Sequence, residues 1–263
     1  MTMRLTINIL VFIFVLSAAS CQNSDRRDVP SLPDNRVMAY PATDSTEHIL
    51  EYEGFTSSYN HTTLIPNWVA YELTKEETYG DYKASSNFSR DPSLVGRQAS
   101  REDYSCSGWD KGHMVPKADL KWSQKAWWQS HYFTNVCPQD HTLNGGDWNK
   151  LEQQVRRWAR QYDSLFVVCG PIFTNEEHGT IGKARVHIPD AFFKAVLVHL
   201  PDGSYSAVAF VMENDDKRHG IADAAMSVDE IEKIINRDLF PALSDDIEEY
   251  VESFVDYKIW KLK

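Results

Sequence analysis

A histidine, an asparagine and a glutamate in this chain could together form one hydrolytic site. His113 follows a glycine, and Asn144 and Glu152 lie in the next segment. An imidazole is suited to act as a general base because its pKa lies near working pH. An amide oxygen can hold a hydrated magnesium ion, since Mg²⁺ prefers oxygen ligands and keeps several waters. These residue types predict phosphodiester hydrolysis, with His113 as general base and Asn144 as metal ligand.

Neighbouring residues could complete such a site. Glu152 could orient the waters of the metal. Arg156 and Lys111 could neutralise phosphate oxygens, the arginine through a bidentate fork and the lysine as a point charge. Gly112 would let a substrate approach the backbone closely. Spacing alone leaves the alternative of structural roles open, since a solitary histidine is more often structural than catalytic.

The distribution of charge limits how the protein could meet nucleic acid. The formal net charge of −11 argues against binding by global electrostatics. Residues 111–160, however, contain eight Lys or Arg against four Asp or Glu, so a basic excess lies where the site is predicted. The alternative is a chance excess on a solvated surface.

Apolar periodicity predicts the elements that must position these residues. One mixed domain is expected at this length of 263 residues. Alternating and β-branched segments predict strands at 52–59, 68–73, 131–136, 165–169, 191–198 and 205–212, the last two forming a hairpin. Helices are predicted at 124–129, 147–162, 227–237 and 244–254, the third opened by a capping box at Ser227 and Glu230. The pattern is typical of an α+β fold with a mainly antiparallel central sheet flanked by helices.

The helix predicted at 147–162 is the element that would present the acidic and basic site residues. Asp147 is its predicted N-cap. One apolar stripe is formed by Trp148, Leu151, Val155, Trp158 and Tyr162. Glu152 and Arg156 lie four residues apart on a different face. The helix can therefore dock by its stripe and present this pair to a substrate.

The amino-terminal segment predicts export. Residues 1–20 have a basic start, a short apolar run and a small-residue cleavage zone, which is typical of a signal peptide. Cys21 follows directly, so the segment resembles a bacterial lipoprotein signal with Cys21 as the lipidated residue; ordinary cleavage is the alternative. Residues 22–45 are interpreted as a flexible tether and 46–263 as the domain. This predicts an exported cell-envelope lipoprotein, periplasmic or on the outer surface, or a secreted protein, that meets a membrane only through its lipid.

The sequence Asp110-Lys111-Gly112-His113 resembles the signature of the DNA/RNA non-specific endonuclease family, which has a ββα-metal active site. The likeness covers most of residues 50–245. Further matching segments are Asn67–Tyr71, Asp91-Pro92, Asp103-Tyr104, Ser107–Trp109, Ala118-Asp119, Trp122-Ser123, Phe133–Gln139, Leu143-Asn144, Trp148–Glu152, Gly170-Pro171, Ile188-Pro189 and Val228–Glu232.

The resemblance implies a role for each site residue. His113 would be the general base, Asn144 the direct Mg²⁺ ligand and Glu152 the residue that orders the metal waters. Arg156 would face the phosphate, and Asn135 would support the histidine or the metal. Mn²⁺ or another divalent ion could replace Mg²⁺. The implied partners are the backbones of DNA and RNA, cut to 5′-phosphate products with little sequence preference, and a homodimer is left open.

Two departures from the family pattern concern phosphate contacts. Lys111 stands where the motif usually has Arg, which keeps the charge and loses the planar fork. The family usually has an Arg a few residues before its Phe-x-x-Asp-Pro segment. In this chain that segment begins at Phe88 and no Arg stands at that position, although Lys83 or Arg90 could substitute. These departures leave two alternatives open: a phosphodiesterase of the same fold that acts on small nucleotides, and a surface protein that binds nucleic acid without cutting it.

The remaining cysteines and histidines suggest no second site. A disulfide between Cys106 and Cys137 is one pairing that the sequence allows, and Cys169 is expected to be a buried thiol. No histidine outside the motif has tight ligand spacing, so structural or surface roles are expected for His131, His141, His178, His187 and His199.

Overall fold

An antiparallel sheet of seven strands forms the centre of the structure, a computed structural model that describes residues 35–174, 179–218 and 220–262. Eleven strands occur in these ranges: β1 (His48–Glu51), β2 (Thr56–Asn60), β3 (Ile65–Thr74), β4 (Asp110–His113), β5 (Val136–Gln139), β6 (Ser164–Ile172), β7 (Thr180–Ile181), β8 (Val186–His187), β9 (Ala191–His199), β10 (Tyr205–Glu213) and β11 (Ala225–Met226). The large sheet has the order β1-β2-β3-β6-β9-β10-β11, and β4–β5 and β7–β8 form separate antiparallel pairs.

Seven α-helices flank the sheet in the described ranges. They are α1 (Arg101–Tyr104), α2 (Gln124–Gln129), α3 (His141–Leu143), α4 (Asn149–Tyr162), α5 (Val228–Ile235), α6 (Asp245–Glu252) and α7 (Tyr257–Trp260). Short 3₁₀ turns occupy Asn35–Ala39, Glu77–Tyr79 and Phe133–Asn135, and a π-helical turn, Asn144–Trp148, joins α3 to α4.

Strand periodicity divides the core into two layers. In β3, Val69 and Tyr71 belong to the apolar cluster that contains α4, whereas Trp68 and Ala70 belong to the cluster that contains α5 and α6. Because successive side chains of a strand point to opposite faces, α4 lies on one face of the sheet and α5 and α6 on the other. This arrangement confirms the predicted α+β class with a mainly antiparallel sheet.

Several predicted elements form as expected. The β9–β10 hairpin pairs in continuous register from Ala191 with Glu213 to His199 with Tyr205. The capping box at Ser227 and Glu230 opens α5. The stripe predicted on α4 is buried at Leu151, Val155 and Trp158. Local apolar spacing and end signals therefore identified these elements correctly.

Two predictions about the segment between residues 131 and 149 are wrong. The predicted strand 131–136 is a turn followed by β5, because Asn135 bonds to backbone groups on Val115 and Ser130 instead of continuing a ladder. Asp147 is not an N-cap. Helical structure already begins after Asp140, whose side chain accepts hydrogen bonds from the N–H groups of Thr142 and Leu143.

The amino-terminal boundary of the domain lies earlier than residue 46. The predicted signal, Cys21 and residues 22–34 of the predicted tether lie outside the described residues. Ala39 is buried, the Tyr40 hydroxyl is 2.7 Å from Oγ1 of Thr56, and the Ala42 N–H donates to the Asp238 carbonyl at 2.9 Å. Residues 36–42 are thus part of the domain. Within the described ranges, no helix is both long and apolar enough to cross a membrane.

The cysteine prediction is half right. Cys106 is an exposed free thiol and Cys137 a buried one, so the disulfide between them is not formed. Cys169 is buried as expected, with its Sγ 3.3 Å from the Met114 carbonyl oxygen.

Candidate active site

The short β4–β5 ladder places His113 at the edge of a cavity. His113 is the last residue of β4 and pairs with Val136, and Gly112 pairs with Cys137. A Cβ added at Gly112 would lie 2.2 Å from Oε1 and 2.6 Å from Cβ of the buried Gln139. Close packing of β4 on β5 therefore requires glycine at this position. The predicted approach of a substrate to this backbone is not needed to explain the glycine.

Asn135 holds the chain that leaves His113. Its Oδ1 accepts from the Val115 N–H at 2.9 Å, and its Nδ2 donates to the carbonyls of Val115 and Ser130. Its backbone carbonyl also accepts from the Met114 N–H. Asn135 is fully buried and is not among the residues that line the cavity, so its contacts are with the backbone next to His113.

The His113 ring is held among aromatic side chains. The ring centroids of Phe88 and His131 lie 5.1 and 5.2 Å away. Its Nε2 is buried without a hydrogen-bond partner. Burial, with smaller effects of His131 and Lys117, lowers the pKa of His113 to about 3. The imidazole is therefore neutral at neutral pH, which is the form that can accept a proton.

Asp110, at the other end of β4, orients Asn144. Its Oδ2 accepts from Nδ2 of Asn144 at 2.9 Å and lies 2.9 Å from Nδ1 of His141. Because the amide nitrogen is held in this way, the amide oxygen of Asn144 is the group left to act as a ligand. Asn144 lies in the π-helical turn, where the backbone of Gly146 departs from helical geometry.

One cavity of about 180 Å³ brings the main predicted residues together. Its lining residues are His113, Pro116, Lys117, Ala118, Asn144, Asn149, Glu152 and Arg156. Glu152 and Arg156 are one turn apart on α4, as the sequence predicted. The histidine, amide, carboxylate and guanidinium that the sequence singled out thus line one cavity, and their roles in catalysis stay a prediction.

Buried charges lie behind the cavity. Nη1 of Arg156 is 2.5 Å from Oδ1 of the fully buried Asp119, so the guanidinium is fixed by an ion pair. Burial raises the pKa of Asp119 despite the pairing. Burial also raises the pKa of Glu152 to about 7, with Lys194 acting in the opposite direction. Glu152 is therefore poised between its protonated and ionised forms near neutral pH.

Lys194 is a charged residue in the middle of β9 that sequence reasoning missed. It is fully buried, with Nζ 3.5 Å from the Met114 carbonyl oxygen and 4.7 Å from the centroid of the Trp148 ring. The signal was present in the sequence, since Lys194 interrupts an otherwise apolar strand. Such residues are rarely buried without a specific role.

Lys111 does not reach the cavity. Its ammonium lies 5.6 Å from the ring centroids of both Phe88 and Tyr104, in a neighbouring groove also lined by Ser86, Arg101, Glu102 and Ser105. Lys117, which the sequence had not singled out, lines the cavity instead and donates to Oγ of Ser86 at 2.9 Å. Lys83 and Arg90 do not line the cavity, so Lys117 takes the basic position within it.

The donor set of the cavity fits an oxygen-preferring ion. Asn144 offers an oriented amide oxygen and Glu152 a carboxylate, and no thiol lines the cavity. Mg²⁺ keeps most of its waters and needs few protein ligands, so these two side chains suffice to hold it.

Comparisons with known proteins agree with this geometry. A profile of the DNA/RNA non-specific endonuclease family matches residues 34–246. The human mitochondrial nuclease EXOG is 29% identical over 208 residues, 73% of this chain and 56% of that protein. The nuclease of Serratia marcescens is 28% identical over 229 residues, 84% of this chain and 85% of that protein. This chain spans 56% and 60% of the length of the human and zebrafish EXOG proteins.

The fold is shared with a solved structure. A chain in the crystal structure of an EndoG/EndoGI complex superposes with a TM-score of 0.73 at 23% sequence identity, covering 81% of this chain and 92% of that one.

Proposed function

Because this chain belongs to the DNA/RNA non-specific endonuclease family, we propose that it is a Mg²⁺-dependent endonuclease that hydrolyses phosphodiester bonds of DNA and RNA. The observation that carries the proposal is the convergence of His113, Asn144, Glu152 and Arg156 on one cavity. Relatives named as nucleases, in Serratia marcescens and in human mitochondria, support the same reaction class. The products would carry a 5′-phosphate, as the family resemblance implies.

His113 is the residue that accepts the proton in this proposal. Its neutral imidazole takes a proton from a water that attacks the phosphorus. Asn135 bonds to the backbone of Met114 and Val115, directly after His113, so the ring keeps its position during the reaction. Burial among Phe88 and His131 keeps the ring unprotonated before the water is bound.

Arg156 and Asn144 arrange the charges around the substrate. The ion pair with Asp119 fixes Arg156, and its remaining N–H groups can face phosphate oxygens. Asn144, oriented by Asp110, would hold the metal, and Glu152 would order the waters around it. Mg²⁺, when bound, supplies positive charge against the phosphate and the leaving oxygen.

We also propose that the protein is exported and anchored by a lipid on Cys21. The support is the sequence pattern of residues 1–21. Labelling cells with a fatty-acid probe should mark the wild type and leave Cys21→Ser unlabelled. Equal labelling of both proteins would exclude the anchor.

Digestion of plasmid DNA and of RNA, with and without a chelator, tests the nuclease proposal. Cleavage should require Mg²⁺ and stop when it is chelated. His113→Ala should lower the cleavage rate by about 10²- to 10⁴-fold, the usual contribution of a general base, and leave DNA binding intact. His199→Ala, an exposed histidine at the end of β9, serves as the matched control and should cut normally.

Three results would replace this proposal by another. Wild-type protein that binds DNA and never cuts it with Mg²⁺ present would identify a binding protein. Cleavage of a dinucleotide without cleavage of long DNA would identify a phosphodiesterase acting on small substrates. Full activity of His113→Ala would remove the histidine from the mechanism.

A further inference from the structure

Three carboxylates converge on the face of the sheet opposite α4. Asp229 and Glu232 project from α5, and Glu252 is the last residue of α6. One carboxylate oxygen of each residue lies within 4.8 Å of the other two. This group is separate from the cavity that contains His113, because α5 and α6 belong to the other apolar layer.

Among the residues that the structure describes, Glu252 has no partner to compensate its burial. The residue is 2% exposed, and its Oε1 is buried without a hydrogen bond to any described group. Within the described ranges, none of the three carboxylates forms an ion pair with a basic side chain. A buried carboxylate without a donor or counter-charge is strongly unfavourable, so a missing cationic partner is indicated.

The acidic residues around Glu252 make a negative charge on its carboxylate more unfavourable. Besides being buried, Glu252 is surrounded by acidic groups, since Glu232, Glu248, Asp238 and Asp229 all act against a negative charge on it. Glu252 also lies at the carboxyl end of α6, where the helix dipole is negative, and the last turn of α6 has no basic residue. Lys233, one turn from Asp229, lowers the pKa of Glu230 and lines the same groove as Asp229.

We propose that Asp229, Glu232 and Glu252 bind a Ca²⁺ ion that ties α5 to the end of α6. Ca²⁺ takes six to eight oxygen ligands in a flexible geometry, and carboxylates are its usual ligands. Mg²⁺ usually binds only one or two carboxylates and keeps several of its waters. Three carboxylate oxygens that lie within 4.8 Å of one another therefore favour Ca²⁺.

The cluster has a route to solvent through Asp229. Asp229 lines an open groove with Ser253, Phe254 and Tyr257. Glu232 already accepts a hydrogen bond from the Leu239 N–H at 2.6 Å through Oε1, which fixes its side chain and leaves its second oxygen for the ion. Three carboxylate ligands and several waters satisfy the six to eight positions of Ca²⁺. The inference does not depend on the nuclease proposal.

Thermal unfolding of the full chain with and without Ca²⁺ tests the site. The metal ligand of the candidate active site is first removed by Asn144→Ala, so that any remaining effect comes from elsewhere. Free Ca²⁺ at about 100-fold over its Kd should raise Tm by roughly 5–10 °C in wild type and in Asn144→Ala. Glu252→Gln should abolish this increase, whereas Glu249→Gln, an exposed residue of the same helix, should retain it.

A second variant covers the case in which Glu252→Gln fails to fold. Asp229→Asn changes a partly exposed ligand and should fold, and calorimetry in the Asn144→Ala background should then show the single Ca²⁺ site lost or at least about 10-fold weaker. Four outcomes would overturn the proposal. Ca²⁺ has no effect on Tm in Asn144→Ala, or its effect persists in Glu252→Gln. The Ca²⁺ affinity is unchanged in Asp229→Asn, or Mg²⁺ raises Tm as much as Ca²⁺ does.

Discussion

A neutral imidazole beside buried charges is the main feature at the scale of single residues. The pKa of His113 is lowered by burial, whereas that of Glu152 is raised to about 7. The two shifts have the same cause, since burial disfavours the charged form of either group. Environments that push two titratable groups toward different protonation states are typical of acid–base sites.

The lowered pKa of His113 predicts a pH dependence of stability. The unfolded imidazole binds a proton below about pH 6.5, but the folded one does so only near pH 3. Above about pH 6.5, His113 therefore does not reduce the free energy of unfolding. As the pH decreases from 6.5 toward 3, protonation of the unfolded imidazole lowers this free energy. Between pH 6.5 and 5 the loss is up to about 2 kcal/mol, and His113→Asn should not show it. Melting curves at pH 7, 6 and 5 measure the difference; parallel declines of Tm in both proteins would contradict it.

The buried charge of Lys194 is expected to strengthen metal binding at the candidate active site. Its ammonium lowers the pKa of Glu152, so Lys194→Met should leave more Glu152 protonated at pH 7. The Mg²⁺ concentration for half-maximal cleavage should increase by about 10-fold, and less so at pH 8.5. Lys258→Met changes an exposed lysine of α7 and should have no effect. A pH-independent loss of activity would indicate a structural role only.

Two contacts between elements bring the site together. The β4–β5 ladder positions His113, and the helix from α3 through the π-helical turn to α4 positions Asn144 and Glu152. Asp110 links the two, because it begins β4 and bonds to Asn144. The distance between base and metal ligand thus depends on how β4 packs on β5 and on the bend at Gly146.

Packing of β4 on β5 can be tested at its glycine. Gly112→Ala places a Cβ 2.6 Å from Cβ of Gln139, a contact that requires the strands to separate. Overpacking of this kind typically costs about 1–3 kcal/mol, and we expect cleavage to decrease more than 10-fold because His113 moves. Gly145→Ala, where no atom lies within 4 Å of the added Cβ, should keep the Tm of the wild type. Equal melting temperatures for all three proteins would show that the ladder tolerates a side chain.

At the scale of the whole molecule, the sheet separates two layers with different tasks. One layer holds α4 and the cavity, and the other holds α5, α6 and the amino-terminal turn Asn35–Ala39. Arg237, which follows α5, bonds to the Ala42 carbonyl and to Glu47 at 2.7 Å. The start of the domain is therefore attached to the layer remote from the cavity.

Truncation can locate the amino-terminal boundary of the domain. Removal of residues 1–33 should leave Tm unchanged, whereas removal of residues 1–45 also deletes the buried Ala39 and the Tyr40 and Ala42 hydrogen bonds. Those losses are worth about 2–4 kcal/mol in total. Cleavage below the melting transition should be retained by both proteins, because the deleted residues are remote from the cavity. The same Tm in both truncated proteins would return the boundary to residue 46.

The sequence alone determined the features that depend on residues close to one another in the chain. Apolar spacing identified α4, the β9–β10 hairpin and the capped α5, because helix and strand periods and end signals act within a few residues. The motif around His113 identified the family.

Only the tertiary structure decided which polar side chains share a cavity. Lys111 is close to His113 in the chain, yet it faces a neighbouring groove, and Asn135, linked to His113 by the family resemblance, bonds to the backbone. Lys117 lines the cavity instead. Asp110 and Lys194 lie beside or behind it. The Asp229, Glu232 and Glu252 cluster likewise joins two helices. Such convergence depends on strand register, on the bend at Gly146 and on the packing of helices on the sheet, and no local pattern encodes these long-range contacts.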